Sequence, residues 1–282
     1  MFPNIVITIV FLLGLILSIS SCKKDIEAVV PAYIKVDHLN LHAEDDEGAS
    51  IHQFSDIWVN CDGSRIGTYG IPAKFPVVNI GEHTLTFYPG ITKNGIIDLK
   101  EVYPFIEPLD VDIDLVEDSI HTLNLTFNYK EETKFYIEDF ESPGEILHTD
   151  DTINYLDKIV DPNDENNHIG KIIVPDTVSF FSLYTNVAFK RGYTPIYLEF
   201  DYKGDNFIAI GIKALQSSGY YKYNDPYIVI KPTQTWNRIY TNIVEQMYNT
   251  SGGESYDVYF LFYSEDGEVS EFSLDNMKLL YY

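Results

Sequence analysis

The chain has 282 residues, with 43 acidic against 19 basic side chains and a formal net charge of −24 at pH 7. Phosphate binding needs clustered lysine and arginine, so this balance argues against nucleic acid as a partner and leaves cations, neutral glycans and proteins. Only two cysteines are present, Cys22 and Cys61, so a disulfide framework is not what holds the chain. The first element in chain order is the uncharged run IVITIVFLLGLILSI from Ile5 to Ile19, followed by small residues and then Lys23 and Lys24. That is the length of a signal peptide's apolar region, whereas a spanning helix needs roughly 20 apolar residues. Counted from Met1, the uncharged stretch reaches about that length, and no Lys or Arg precedes it, so an uncleaved membrane anchor stands as the alternative.

At the end of this run, Ile19-Ser20-Ser21-Cys22 places an aliphatic residue and two small ones before a cysteine. The tetrapeptide resembles the lipobox of diderm-bacterial lipoproteins. The resemblance implies that residues 1–21 are a signal peptide, that Cys22 carries the lipid, and that residues 22–30 are a tether. A multiply acylated cysteine holds a domain on a membrane it never crosses, each buried methylene contributing about 0.8 kcal/mol. Lys23 rather than Asp after the cysteine implies the outer membrane, and the acidic Asp25 and Glu27 leave both the periplasmic and the cell-surface side open. With Cys22 lipidated, no intramolecular disulfide can form, and stability must come from the core.

Beyond the tether, β-branched and aromatic residues alternate with polar ones: YIKVDHLNL at 33–41, HTLTFY at 83–88, HTLNLTFNY at 121–129, IYLEFDY at 196–202, YIVIK at 227–231 and DVYFLFY at 257–263. Such short strands, punctuated by Gly, Asn, Asp and Pro, predict an all-β chain of sandwiches. A first unit is expected over 31–130. Within it Trp58 to Gly67 reads as a hairpin turning at Asp62-Gly63, where the glycine supplies a positive φ. Cys61 beside that turn is expected to be a small, half-buried residue rather than a reactive thiol. The order of D-G hairpin, proline bend at Ile71-Pro72 and Phe75-Pro76, and Gly81-Glu82-His83 before an alternating strand resembles the PEGA-like domains of bacterial envelope proteins. That resemblance implies a small immunoglobulin-like β-sandwich acting as a spacer or a surface-interaction module.

A charged seam at 129–134 sets the expected boundary, and a second unit is expected over 135–282. It opens with Asp139-Phe140-Glu141, carries Trp236-Asn237-Arg238-Ile239-Tyr240 in its middle and closes with Leu274-Asp275-Asn276-Met277-Lys278-Leu279. These motifs, in this order, resemble the jelly-roll modules related to carbohydrate-binding and galactose-binding-like domains. The resemblance implies paired first and last strands and a structural calcium held by Glu141 and Asp275, with Asp139 as a further candidate.

Among the remaining constellations, Asp110, Asp112 and Asp114 alternate on one strand face and are expected to be solvated and to discourage edge aggregation. The segment Asp161 to His168 is rich in oxygen donors but lacks the glycine and the final glutamate of an EF-hand, so a polar loop is expected. Tyr220, Tyr221, Tyr223 and Tyr227 form an aromatic run whose Gly219, Asn224-Asp225 and Pro226 place it in a loop or strand edge. Exposed rings stack on the apolar faces of sugars, so these four are the candidate glycan contacts, with ordinary hairpin packing as the alternative. Trp236 is expected in the core. No nucleophile elbow, zinc-protease motif or phosphate loop is present, and the seven histidines show no ligand spacing, so no enzyme is expected. Asp118-Ser119-Ile120, Asp151-Thr152-Ile153 and Asp176-Thr177-Val178 resemble the short O-glycosylation acceptor of some envelope proteins. The sequence therefore leads to a lipid-anchored, non-catalytic envelope protein that presents a jelly roll to a glycan. The rival expectation is a scaffold lipoprotein that binds an envelope protein partner and no sugar.

Overall fold

The computed structural model describes residues 29–141, 146–190, 192, 194–250, 252–265 and 267–282. Cys22, the preceding leader and the tether up to residue 28 lie outside the described residues. Among those described, no helix is long and apolar enough to cross a membrane.

The fold is all-β, as the alternating pattern predicts. Ten strands build the first unit: β1 Ala32–Val36, β2 Leu39–His42, β3 Asp56–Cys61, β4 Ser64–Gly70, β5 Ala73–Val77, β6 Gly81–Thr92, β7 Lys100–Val102, β8 Leu109–Leu115, β9 Ile120–Thr122 and β10 Leu125–Asn128. β1 pairs antiparallel with β5 and parallel with β9, and β2 continues that layer by pairing parallel with β10. The facing layer runs β4-β3-β6, with β7 and β8 both pairing β6. Strict alternation drives this assembly: in β1, Ala32, Ile34 and Val36 are buried while Tyr33 and Lys35 face outward, because successive side chains leave a strand on opposite faces. At the β3-β4 turn, Asp62 and Gly63 both take positive φ, 48° and 77°, the twin left-handed pair that a two-residue turn of this hand demands.

The second unit comprises β11 Lys134–Glu138, β12 Leu147–His148, β13 Leu156–Asp161, β14 Asp164–Val174, β15 Phe180–Thr185, β16 Ile196–Gly204, β17 Ile208–Gln216, β18 Tyr221–Tyr223, β19 Ile228–Ile230, β20 Thr233–Asn242, the short helix α1 Val244–Asn249, β21 Gly253–Tyr263 and β22 Ser270–Tyr281. They form two six-stranded sheets. One runs β13-β14-β22-β16-β20 with β11 also on β22; the other runs β12-β15-β21-β17-β18 with β19 also on β17. Between them lies a core of Ile, Leu and Phe that includes Phe181, Leu198, Phe200, Ile210, Phe260 and Leu279. Burying each such side chain contributes about 1.5–3 kcal/mol.

The residues that point away from this core on the first sheet are not left to water. Tyr197, Tyr240 and Leu280 belong to the apolar cluster of the first unit, beside Tyr103 and Phe105. The ring of Tyr103 meets Tyr240 at 5.1 Å and Tyr197 at 5.7 Å between centroids, both edge-on. Below these rings the contact is ionic. Arg238 donates to Glu199 at 2.9 Å and to Asp201 at 2.8 Å, Tyr103 donates to the other oxygen of Glu199 at 2.8 Å, and Lys278 donates to the Ala49 carbonyl at 2.8 Å and to Tyr129 at 3.2 Å. The first unit thus packs against one flank of the jelly roll, over Tyr197, Tyr240 and Leu280, instead of only preceding it in series. Apolar outward positions at 197, 240 and 280 make the difference, since they are stable only under a cover.

Candidate functional site

Among the described residues, the first unit does not reach the outer face of the jelly roll's second sheet, and there the tyrosines collect. On β17 the inward residues Ile208, Ile210, Ile212 and Ala214 are buried in the core, so Lys213 is thrown to the outside. Tyr223 of β18 lies opposite it on one side and Asp257 of β21 on the other. The ammonium of Lys213 donates to Asp150 at 2.8 Å and sits 3.4 Å from the ring centre of Tyr184, 4.4 Å from Tyr221 and 5.7 Å from Tyr223. These rings and Asp150 cover the lysine so completely that it is only 2 % exposed. Burial acts to lower the ammonium's pKa, but the hydrogen bond to Asp150 and the neighbouring Tyr223 hydroxyl outweigh it and hold the pKa above its ordinary value. Asp150 is correspondingly held down, first by Lys213 and then by the hydroxyl of Tyr184, which donates to it at 2.7 Å.

Two further features shape this face. Tyr259 lies flat across Gly211, where a Cβ would meet the ring at 2.3 Å, so only glycine allows the ring to rest on the sheet. Its hydroxyl donates to the carbonyl of Asn224, which ties the end of the tyrosine hairpin down. Asp257 is 8 % exposed, and its Oδ1 has no hydrogen-bond partner among the described residues. Burial pushes its carboxyl up to about 6, against the pull of Lys213. A buried acceptor without a donor costs about 1–3 kcal/mol, and this oxygen is itself closed off from the surface.

Of the tyrosines picked out in the sequence, Tyr220, Tyr221 and Tyr223 are 78, 51 and 54 % exposed and stand on or beside the edge strand β18. Tyr227 does not join them. Its ring packs against the core, its hydroxyl meets Thr241 at 2.8 Å, and burial holds its pKa well above the ordinary value. Tyr184, Lys213, Asp150 and Asp257 were not picked out. They come from four separate stretches, and strand register alone brings them together.

A second concavity of about 610 Å³ opens at the junction of the two units, between the stretch 49–53 and the sheet carrying β13, β14, β20 and β22. Trp236 lines it, which corrects the expectation that this residue is core. It is 36 % exposed, with the Lys203 ammonium 4.5 Å from its ring centre, because it sits on the outward side of β20 beyond the reach of the first unit. The segment 161–168 is also not the loop expected from its polarity. It is a hairpin in which Asp161 ends β13 and Asp164 begins β14, and its oxygen donors face the same concavity.

Glu141 and Asp275, the calcium candidates, are both engaged by protein donors. Glu141 takes the backbone N–H of His168 at 2.5 Å and the ring of the same residue at 2.9 Å. Asp275 takes Asn167 at 2.8 Å and the backbone N–H of Asn276 at 2.7 Å. Burial, more than the nearby Asp201 and Glu141, pushes the carboxyl of Asp275 up to about 6. Asp139 accepts from the backbone N–H of Glu141 at 2.9 Å. Asp110, Asp112 and Asp114 point outward from β8, whose one partner is β6, as expected of a solvated stripe on an edge strand.

No protein-family model matches the chain, and no curated protein matches it. Solved structures similar to it include the CBM22-1 xylan-binding domain of Paenibacillus barcinonensis Xyn10C, with 13% identity, a TM-score of 0.40, and coverage of 52% of this chain and 92% of that one. A carbohydrate-binding module of the beta-sandwich superfamily aligns with 84% of this chain and 86% of its own at 12% identity and a TM-score of 0.38. A further xylan-binding CBM22 domain covers 54% of this chain and 97% of that one, at 12% identity and a TM-score of 0.38.

Proposed function

We propose that this protein is a lipid-anchored, non-catalytic envelope protein that binds a neutral glycan on the open face of its jelly roll. The observation that carries the reading is the cradle around Lys213: three tyrosine rings and an ammonium already neutralised by the exposed carboxylate of Asp150. Tyrosine offers a large, stiff, amphipathic surface with little rotamer entropy to lose on binding. A sugar ring stacked on Tyr221 or Tyr223 brings its hydroxyls towards the exposed carboxylate of Asp150. The pairing of Lys213 with Asp150 leaves no uncompensated positive charge there, so neutral sugars suit the face better than acidic ones. The anchor rests on the lipobox-like Ile19-Ser20-Ser21-Cys22, and the outer-membrane assignment rests on Lys23.

The test is a glycan array followed by affinity electrophoresis in gels containing the best-binding polysaccharide. Tyr221→Ala with Tyr223→Ala should abolish retardation, while the melting temperature stays within a few degrees. Unaltered retardation would remove the site. A blank array, combined with crosslinking in intact cells to one dominant protein, would favour the scaffold alternative.

A further inference from the structure

At the end of the first unit's sandwich, three side chains that the sequence keeps apart come together. Cys61 Sγ, the Asp62 carboxylate and the His83 ring nitrogen lie within 4.8 Å of one another. Each is placed by the backbone. Cys61 ends β3 with its side chain turned into the core, and it pairs with Leu85, which keeps His83, two residues earlier on β6, on the same face. Asp62 is fixed in the turn: its N–H donates to the Thr84 carbonyl at 2.9 Å and its Oδ1 accepts from the Thr84 N–H at 3.0 Å. Its Oδ2 remains for His83, whose Nδ1 is 2.6 Å away.

The orientation of the imidazole is what distinguishes this trio from a chance cluster. His83 Nε2 sits 3.3 Å from the Ile80 carbonyl and Nδ1 sits 2.6 Å from the Asp62 carboxylate; both oxygens only accept, so the ring donates to both, and its hydrogen bond to Asp62 raises its pKa. A cation bound here takes the place of the Nδ1 proton. A backbone carbonyl on the far nitrogen is the outer partner that fixes the tautomer of metal-binding histidines. Three electron-rich atoms converge here, and only a proton or a cation can reconcile them.

We propose that Cys61, Asp62 and His83 bind a divalent cation of the zinc class, with one coordination position left open. Thiolate, imidazole and carboxylate are the ligand types that select a borderline ion over calcium or magnesium, and three protein ligands plus one free position is a familiar tetrahedral arrangement. Asp62 and His83 line a cavity of about 490 Å³ together with Glu82, Asp112 and Asp114, and the charge of these carboxylates attracts cations to its mouth. Binding releases the Cys61 thiol proton, and also the His83 proton where the ring carries one, so affinity falls as pH falls.

The experiment uses the full-length chain carrying Cys22→Ser in detergent, so that Cys61 is the only thiol, titrated with cobalt(II) and followed by absorption. The expected result is one cobalt per chain with a thiolate-to-cobalt charge-transfer band. The band should vanish in Cys61→Ser, and affinity should drop by more than about tenfold in His83→Gln, since even outer partners of a metal cost that much. Circular dichroism reports whether each variant is folded. His83 is partly exposed, so His83→Gln keeps the test valid if Cys61→Ser does not fold. A wild-type titration without the band, or one unchanged by His83→Gln, overturns the site. Cobalt binding that survives in Cys61→Ser assigns the ion to the outer carboxylates alone and overturns it equally.

Discussion

The two outer faces of the jelly roll are built on the same plan and finished differently. Each carries a cation sunk among carboxylates and tyrosines: Arg238 with Glu199, Asp201 and Tyr103 on one side, Lys213 with Asp150, Tyr184 and Tyr221 on the other. On the first face the other unit supplies partners, the hydroxyls of Tyr103 and Tyr129 for Glu199 and the Ala49 carbonyl for Lys278, although the Nε of Arg238 has none among the described residues. On the second face no described residue covers the rings of Tyr221 and Tyr223, and the Oδ1 of Asp257 has no partner among the described residues. The same chemistry therefore acts as a lock where a partner is built in and as a receptor where it is not. A buried ion pair contributes little net stability over apolar packing, but breaking one leaves a stranded charge.

The sharpest way to break the comparison is to remove one carboxylate from each face. Glu199→Ala should cost about 3–5 kcal/mol in urea unfolding, because Arg238 loses a partner inside a dry junction. Asp150→Ala should cost about 1 kcal/mol, since that carboxylate is mostly in solvent and its removal lets water reach the Lys213 ammonium, and should weaken glycan binding instead. Equal losses would mean that the two faces do not differ as described.

Proton linkage separates the faces more finely. Burial lowers the Lys278 ammonium to about 8. Between about 8 and 10 the unfolded chain still holds that proton and the folded one has released it, so stability should rise with pH across this window. Lys278→Met should flatten the rise. On the open face the sign reverses. With Asp257 raised to about 6, the folded state binds the proton between about 4 and 6, where the unfolded state has lost it, so stability should fall as pH rises through that range. Asp257→Asn should remove part of the fall, leaving the part due to Asp275, which burial also raises to about 6. Unfolding free energies measured across both windows check the two signs together.

What the sequence disclosed follows from what is local in it. Period-two alternation in YIKVDHLNL or DVYFLFY already says which residues face inward, and Asp62-Gly63 already says where a hairpin turns. The exposed Tyr220, Tyr221 and Tyr223 were visible because Gly219 and Pro226 bracket them as an edge. What stayed hidden depends on register between distant strands. Lys213 meets Asp257 across β17 and β21 and Asp150 across 63 positions of chain, and no spacing rule connects them. His83 reaches Cys61 for the same reason, although the histidines look scattered in one dimension. Trp236 and Tyr227 were exchanged in their expected roles because strand position alone does not tell which face a second unit will cover.

The most direct measurement of the central claim is oxidative footprinting of aromatic side chains, with and without a saturating glycan from the array. If the open sheet is the receptor, Tyr184, Tyr221 and Tyr223 become protected while Trp236 in the junction keeps its reactivity. Protection of Trp236 with the three tyrosines unchanged would move the ligand to the junction cavity and contradict the account.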